Sequence, residues 1–384
     1  MLPLKDGIIR IRIKLSSNFK IRVAEPNIEE EDANAMYQSV KENRLSSGKY
    51  VEEFENEFAK YVGVKEAIAV NSGTAAIHLP LESLNLNAGE VITTSFTFAA
   101  TANVIVLQNM KPIFVDIESE TYNLNPKKIE SAITEKTKAI MPIHYGGQCA
   151  EMDEINEIAS RHDLHVIEDA APALGGIYKN KKAGTLSKIS GFSFFPDKSI
   201  TTGEGGMIAT NDSDLAEKCR ILRKNGASKR YYHDYIGWNF RMPDPNAALG
   251  KSQLKRIEKI IKLKNEKADY YREKLQNIDG IVPPLTKNYN RHTFMLYSIL
   301  TKNNSDRQKI IIELNKKGIE TRINFPPVHL QPAYVKKFNF KVGSLPITED
   351  IANRILGLPI FIKMTNEQQD IIICLLYTSD AADE

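Results

Sequence analysis

The sequence predicts an α/β fold: a large domain with a mostly parallel seven-stranded sheet between helices, followed by a smaller α+β domain. Three observations carry this. Seven short apolar runs, at 67–71, 90–94, 112–116, 139–144, 164–169, 189–195 and 206–211, recur along the first two thirds of the chain. Runs this short and this apolar suit strands buried on both faces. Amphipathic stretches separate several of them, the rhythm of strand–helix–strand crossovers. After Met242 the texture changes to long charged helical segments and proline-rich turns.

In chain order, residues 1–20 carry five basic residues and one acidic, and 8–15 alternate apolar and basic, the pattern of a strand with one polar face. Asn27 with Glu30 three residues later reads as a capping box opening a helix. A second helix starts near Val51 with Phe54, Phe58 and Tyr61 on one face. Pro80 falls inside the helix after the turn at 71–76, where it removes a hydrogen bond and predicts a kink. Helices are expected at 126–134, with Asn125 as cap and Pro126 at the first position, and at 152–162. One long helix is expected over 246–278, then Pro283-Pro284 and Pro326-Pro327 turns, and helices at 306–317 and 348–356. The tail 374–384 (CLLYTSDAADE) resembles the conceptual translation of a sequencing adapter. The organisation expected is a basic extension (1–20), a large domain (21–245), a small domain (246–373) and that tail (374–384).

Composition narrows the function classes. With 42% hydrophobic and 26% charged residues the chain is expected to be globular. Its 51 basic against 48 acidic residues give no cause to expect nucleic acid or an anionic membrane as partner. Three scattered cysteines make neither a disulfide framework nor a metal site, so a reducing, cytoplasmic setting is expected. No apolar run reaches the roughly 18–20 residues of a spanning helix.

In an open α/β sheet, ligands bind beyond the carboxyl ends of the strands, and four features fall there. Asn71-Ser72-Gly73-Thr74-Ala75-Ala76 runs from strand to helix; the free N–H groups of a helix N-terminus favour a phosphate, although such turns also serve as plain caps. Glu168-Asp169 closes a strand, where a carboxylate suits a ribose, a metal, a protonated ring nitrogen or a helix cap. Lys198 stands between the run at 189–195 and the glycine-rich Thr201–Gly206 loop. Desolvation there favours the neutral amine that forms a Schiff base, against its free value of about 10.4. Gly237-Trp238-Asn239-Phe240-Arg241-Met242 reads as a buried corner. A phosphate turn, a strand-end carboxylate, the aromatic pair Phe96 and Phe98, and a lysine are together what pyridoxal 5′-phosphate (PLP) requires.

These residues resemble a known family. Leu45-Ser46-Ser47-Gly48, the 71–76 turn, the Ser95–Asn103 stretch, Phe114-Val115-Asp116-Ile117, Glu168-Asp169-Ala170-Ala171, Phe192-Ser193-Phe194 with Lys198, Thr201–Gly206, Asn239–Met242 and His329-Leu330-Gln331-Pro332-Ala333-Tyr334 follow one order. It is the order of the DegT/DnrJ/EryC1/StrS sugar aminotransferases, on the fold-type I scaffold of PLP-dependent transferases. The resemblance spans about Ile21 to Ile373. It implies that Lys198 holds the cofactor as a Schiff base and shuttles the proton, and that Asp169 partners the ring nitrogen. It further implies that Phe98 stacks on the ring, that Gly73, Thr74, Ala75 and Ser193 bind the phosphate, and that Asn239 reaches the cofactor of a neighbouring subunit in a homodimer. Arg241 and His329 fall near the substrate. A lysine at 198, where a dehydratase branch has histidine, implies transamination.

One departure stands out: Pro172 occupies the place of the usual His or Gln beside the cofactor's phenolic oxygen, and proline donates no hydrogen bond. The expected activity is amino transfer, from glutamate, to a keto-deoxysugar carried on a nucleotide. The alternatives are a PLP-fold regulator or nucleic-acid binder acting through the basic N-terminal arm, and a sugar oxidoreductase, which the absence of a GxGxxG turn disfavours. No metal is expected.

Overall fold

The computed structural model describes residues 19–86 and 88–380. The strand expected at 8–15, most of the basic arm on which the nucleic-acid reading rests, and residues 381–384 lie outside the described residues.

All seven apolar runs become strands of one sheet: β1 (Glu66–Val70), β2 (Glu90–Thr94), β3 (Lys111–Val115), β4 (Thr137–Ile140), β5 (His165–Asp169), β8 (Ile189–Ser193) and β9 (Gly206–Thr210). Their order is β1-β9-β8-β5-β4-β2-β3, and only β9 runs antiparallel to its neighbours. The reversal brings the start of β9 to the carboxyl ends of β1 and β8, with Gly206 opposite both Val70 and Ser193. The short strands β6 (Ile177–Tyr178) and β7 (Lys181–Lys182) form a separate hairpin.

Helices α1 (Glu30–Lys41), α2 (Lys49–Val62), α3 (Gly73–Ser83), α4 (Ala99–Leu107), α5 (Met152–Arg161), α6 (Ser213–Arg223) and α7 (Asp244–Leu254) surround the sheet. On one side Phe54 and Phe58 of α2 pack with Phe192 and Phe194 of the β8 segment and with Ala247 and Leu254 of α7. On the other, α3 lies directly on β8: a Cβ at Gly191 would stand 2.4 Å from the Ala76 carbonyl oxygen, so only glycine admits this approach. The helix continues through Pro80.

Three local expectations are corrected. Helix α1 begins at Glu30 with Glu29 as its cap; the buried Asp32 carboxylate, three residues on, accepts the Glu29 N–H at 3.0 Å, while Asn27 only buttresses the Glu29 side chain. The stretch from Pro126 forms two 3₁₀ turns, Pro126–Lys128 and Glu130–Ala132. Only Pro126 and Ile129 of it are buried, too little apolar face to hold so short a helix. The long helix is two, α7 and α8 (Ile257–Leu275), broken at Arg256 (φ −108°, ψ 5°). Neither glycine nor proline marks that break; tertiary bonds do, since Ser252, Gln253 and Arg256 all reach Asp32.

Beyond the hairpin β10 (Ala227–Lys229) and β11 (Tyr232–His233), a second core forms. Strands β12 (Ile281–Val282), β14 (Tyr297–Thr301) and β15 (Ile355–Leu358) make an antiparallel sheet, while β13 (Asn290–Arg291) joins β6. Against that sheet pack α9 (Asn304–Lys316), α12 (Asn366–Asp380) and the later turns of α8, with α11 (Pro346–Arg354) beside them, while α10 (Pro332–Phe338) packs on α4 and β3 through Tyr334 and Phe338. Tyr271, Ile299, Leu314, Leu356 and Ile372 form its centre; Leu376, from the segment that resembles an adapter translation, is buried there too. Asp116, just past β3, ties the two cores together by accepting the N–H groups of Ile347 (3.0 Å) and Thr348 (2.7 Å) at the start of α11. No helix among the described residues is long and apolar enough to cross a membrane.

Candidate active site

The carboxyl ends of β1, β8 and β5 meet at one edge of the sheet, and the start of α3 stands over them. Ser72 caps α3, its hydroxyl accepting the Ala75 N–H at 3.1 Å. That leaves the N–H groups of Gly73 and Thr74, which have no partner within the helix or among the described residues, open to a ligand, whereas the Ala75 N–H is engaged. Ser193 faces this turn: a Cβ on Gly73 would lie 2.7 Å from the Ser193 hydroxyl oxygen. A helix N-terminus with two open donors and a hydroxyl beside it favours an anion.

Asp169 ends β5 and is buried. Its Oδ2 accepts the Thr101 hydroxyl at 2.8 Å and its Oδ1 the Ala171 N–H at 3.2 Å. Burial pushes its carboxyl above the usual range, and those two hydrogen bonds oppose the rise. No cationic group hydrogen-bonds it among the described residues. Its neighbour Glu168 points to the opposite side of the strand, as strand alternation requires. There it accepts from His144 Nε2 at 2.8 Å and from the N–H groups of Gly184 and Leu186. Glu168 fastens a loop; Asp169 is the carboxylate that faces the strand ends.

Lys198 follows β8 in a tight turn, its N–H donating to the Phe195 carbonyl at 2.9 Å. The glycine-rich loop closes back on this turn: Thr202 N–H donates to the Phe194 carbonyl (3.0 Å) and Phe194 N–H to the Gly205 carbonyl (2.9 Å). The Lys198 amine is half-buried, 3.3 Å from the Met295 sulfur and 3.6 Å from Asp197 Oδ1. Asp197 also meets Arg322 at 3.4 Å. A second amine, Lys264 on α8, is buried nearby; desolvation draws it down to about 8, against the pull of the Asp197 carboxylate, and Lys198 adds to the fall.

The aromatic pair divides. Phe96 is buried and stacks on Tyr145, with centroids 5.0 Å apart, whereas Phe98 at the start of α4 is 64% exposed, its ring meeting Phe325 at 6.4 Å. Asn239, expected in a buried corner, is exposed, in the same stretch as Ile236 (96% exposed) and Trp238. Arg241 is half-buried, and its guanidinium has no partner among the described residues. His329 is fully buried: Nδ1 meets the Ser95 hydroxyl at 2.7 Å and Nε2 the Glu349 carboxylate at 3.1 Å. Pro172 is buried, its carbonyl accepting from the Thr293 hydroxyl at 3.0 Å.

Sequence reasoning quoted the stretches that hold Thr101 and Asp116 without giving either a role, and passed over Lys264 and Met295. Thr101 carried a signal, a hydroxyl four residues after Thr97 at a helix start; the other three act across sequence separations that no local pattern reveals.

The model of the DegT/DnrJ/EryC1/StrS aminotransferase family matches residues 26–376. A protein of Methanocaldococcus jannaschii described as "Uncharacterized protein MJ1066" is 46% identical over 360 residues, covering 89% of this chain and 93% of its own. The GDP-perosamine synthase of Caulobacter vibrioides is 39% identical over 364 residues, covering 93% and 97%. Among solved structures, Helicobacter pylori PseC, an aminotransferase of pseudaminic acid biosynthesis, superposes with a TM-score of 0.89 at 31% identity, over 95% of this chain and 100% of that one.

Proposed function

The chain belongs to the DegT/DnrJ/EryC1/StrS aminotransferase family, and from that premise we propose that it transfers an amino group, from glutamate, to a nucleotide-linked keto-deoxysugar. Membership makes it a sugar aminotransferase of fold-type I that works with PLP. One observation supports amino transfer through this cofactor: a buried carboxylate without a cationic hydrogen-bond partner among the described residues, a half-buried lysine amine and an open helix N-terminus meet at one edge of the sheet.

The residues fit the cofactor. Asp169 is buried as an acceptor that has no charged donor among the described residues, which a ring N–H would supply. The contact between Gly73 and Ser193 forms a cradle that a Cβ would fill. When bound, PLP supplies a ring that accepts the electron pair left as a proton departs from the substrate carbon. The chain's own groups do the rest. Asp169 would keep a proton at the ring nitrogen, Phe98 would cover the ring, and the Gly73 and Thr74 N–H groups with Ser193 would hold the phosphate. Lys198 would be the amine that holds the cofactor's carbonyl carbon and, as a free neutral amine, the group that takes and returns the substrate's proton. Arg241, whose guanidinium has no partner among the described residues, is the proposed substrate contact. His329, with both nitrogens engaged, is proposed to join Ser95 to Glu349 rather than touch the sugar.

We propose a homodimer in which Asn239 reaches the cofactor phosphate of the second copy. The exposure of Asn239 beside Ile236, Trp238 and Tyr231 supports that reading. The Caulobacter relative's name supports a nucleotide sugar as acceptor. The test offers purified enzyme glutamate and a panel of nucleotide-linked keto-sugars, reading amino-sugar by mass. Conversion of bound PLP by glutamate with no acceptor aminated would overturn the acceptor class.

A further inference from the structure

Behind Asp169 runs a chain of two hydroxyls. Thr97 Oγ1 and Thr101 Oγ1 lie 2.8 Å apart, and Thr101 Oγ1 donates to Asp169 Oδ2 at 2.8 Å. All three side chains are buried. A threonine hydroxyl has one proton to give. Thr101 gives its proton to the carboxylate, so Thr97 is the donor in the bond between the two. The chain therefore has a fixed direction, from Thr97 through Thr101 to Asp169. Thr97 and Thr101 stand four residues apart across the start of α4, and the residue between strand and helix, Phe98, faces outward. One turn thus supplies both the exposed ring and the buried donors.

We propose that Thr101, aligned by Thr97, is a positioning residue that decides whether Asp169 or the cofactor's ring nitrogen owns their shared proton. The proposal rests on the reading of Asp169 as the ring-nitrogen partner. Burial favours the neutral acid, and a hydrogen bond donated to the charged form opposes it. Thr101 is the one side chain that donates to Asp169 among the described residues. The other groups that Asp169 feels are the Ala171 N–H, which stays in place in every variant below, and Lys198 and His144. His144 is committed elsewhere, Nε2 to Glu168 and Nδ1 to the Ala150 N–H. Without the Thr101 hydroxyl, the carboxylate gains proton affinity, takes the ring proton and leaves a neutral ring that withdraws electrons less well.

The experiment loads wild type, Thr101→Val, Thr101→Ala, Thr101→Ser, Thr97→Val and Asp169→Asn with PLP carrying ¹⁵N in the ring. It records the nitrogen chemical shift across pH, with kcat and KM beside it. Wild type and Thr101→Ser are expected at the protonated position. Thr101→Val and Thr101→Ala move toward the neutral position, with kcat down about tenfold to a hundredfold, the worth of one hydrogen bond to a charged group, and KM little changed. Thr97→Val moves less, since Thr101 keeps its own proton. Where Thr101→Val fails to fold, Thr101→Ala, which adds no bulk, carries the result. An unchanged shift in the folded Thr101 variants overturns the proposal. An unchanged shift in Asp169→Asn instead overturns the ring-nitrogen reading itself.

Discussion

Gly73, in the first turn of α3, lies so close to Ser193, at the end of β8, that a Cβ on residue 73 would stand 2.6 Å from the Ser193 Cβ. Two elements more than a hundred residues apart in sequence are held in close contact, and the proposed phosphate cradle is the open first turn of α3 beside that contact. Gly73→Ala is expected to push the turn off the strand, costing about 1–3 kcal/mol as overpacking does. PLP affinity falls about tenfold, by equilibrium dialysis. The double variant Gly73→Ala/Ser193→Gly relieves the clash, so thermal stability returns while affinity stays low. Recovery of affinity in the double variant would show that Ser193 contributes nothing to the phosphate.

Lys198 has no strong partner in its turn: a sulfur at 3.3 Å and a carboxylate at 3.6 Å. Lys198→Ala is therefore expected to leave fold and cradle intact. Purified wild type incubated with PLP shows the visible band of lysine-bound cofactor. The variant shows only the band of free aldehyde, loses it on dialysis, and is slower in amino transfer by about 10²–10⁴, the share of a positioned proton shuttle. A colourless wild type would sink the proposed role.

How much of this was legible follows from how locally each feature is encoded. The seven strands were, because each is a short run of apolar residues bounded by turn formers, and burial on both faces leaves no other use for such runs. The turn at Gly73, Asp169 and Lys198 could be singled out from position, since a parallel sheet puts its ligands past the strand ends, while the role expected of Ser193 came from the family resemblance. What escaped depended on long-range bonds. The break at Arg256 follows from donors reaching Asp32, not from a breaker residue. The burial of His329 follows from Ser95 and Glu349, hundreds and tens of residues away along the chain. The exposure of Asn239 contradicts the apolar look of its neighbours Trp238 and Phe240, which stack on each other at 5.3 Å, within 6° of parallel.

Asp116 is an example of such a long-range bond with a measurable cost. Its carboxylate receives the Ile347 and Thr348 N–H groups and the Thr348 hydroxyl (2.7 Å), acting as the cap that α11 does not draw from its own N-terminal residue. Asp116→Ala strands those donors and is expected to cost about 2 kcal/mol, the upper end for a lost cap, read as a lower urea midpoint. Activity should fall as well, because Glu349 on the same helix holds His329. Asp116→Asn, which keeps one acceptor, falls between.

The proposed dimer has its own handle in Ile236, 96% exposed beside Asn239. Sedimentation of wild type should give a dimer. Ile236→Glu, which puts a charge into an apolar contact, is expected to shift it toward monomer and to weaken PLP retention, because Asn239 then no longer meets the second copy's site. A wild type that sediments as monomer at micromolar concentration while fully active would overturn the shared-site reading.

Lys264 makes stability depend on alkaline pH in a predictable direction. It is 6% exposed on α8, and burial lowers its amine from 10.5 to about 8, Asp197 opposing and Lys198 reinforcing. Below about pH 8 the lysine is protonated in native and unfolded chains alike, and the full cost of a buried charge is present and constant. Between about 8 and 10.5 the unfolded chain still holds a proton that the native chain has released, so native stability gains as pH rises through that window. Lys264→Met keeps the volume and removes the charge. It is expected to be more stable than wild type at pH 7 by at most roughly 3 kcal/mol, with the advantage shrinking toward pH 10. Taking the difference between the two proteins cancels every other group that titrates in that range. A difference in urea unfolding free energy that is the same at pH 7 and pH 9.5 would show that the buried amine is not the source of the cost.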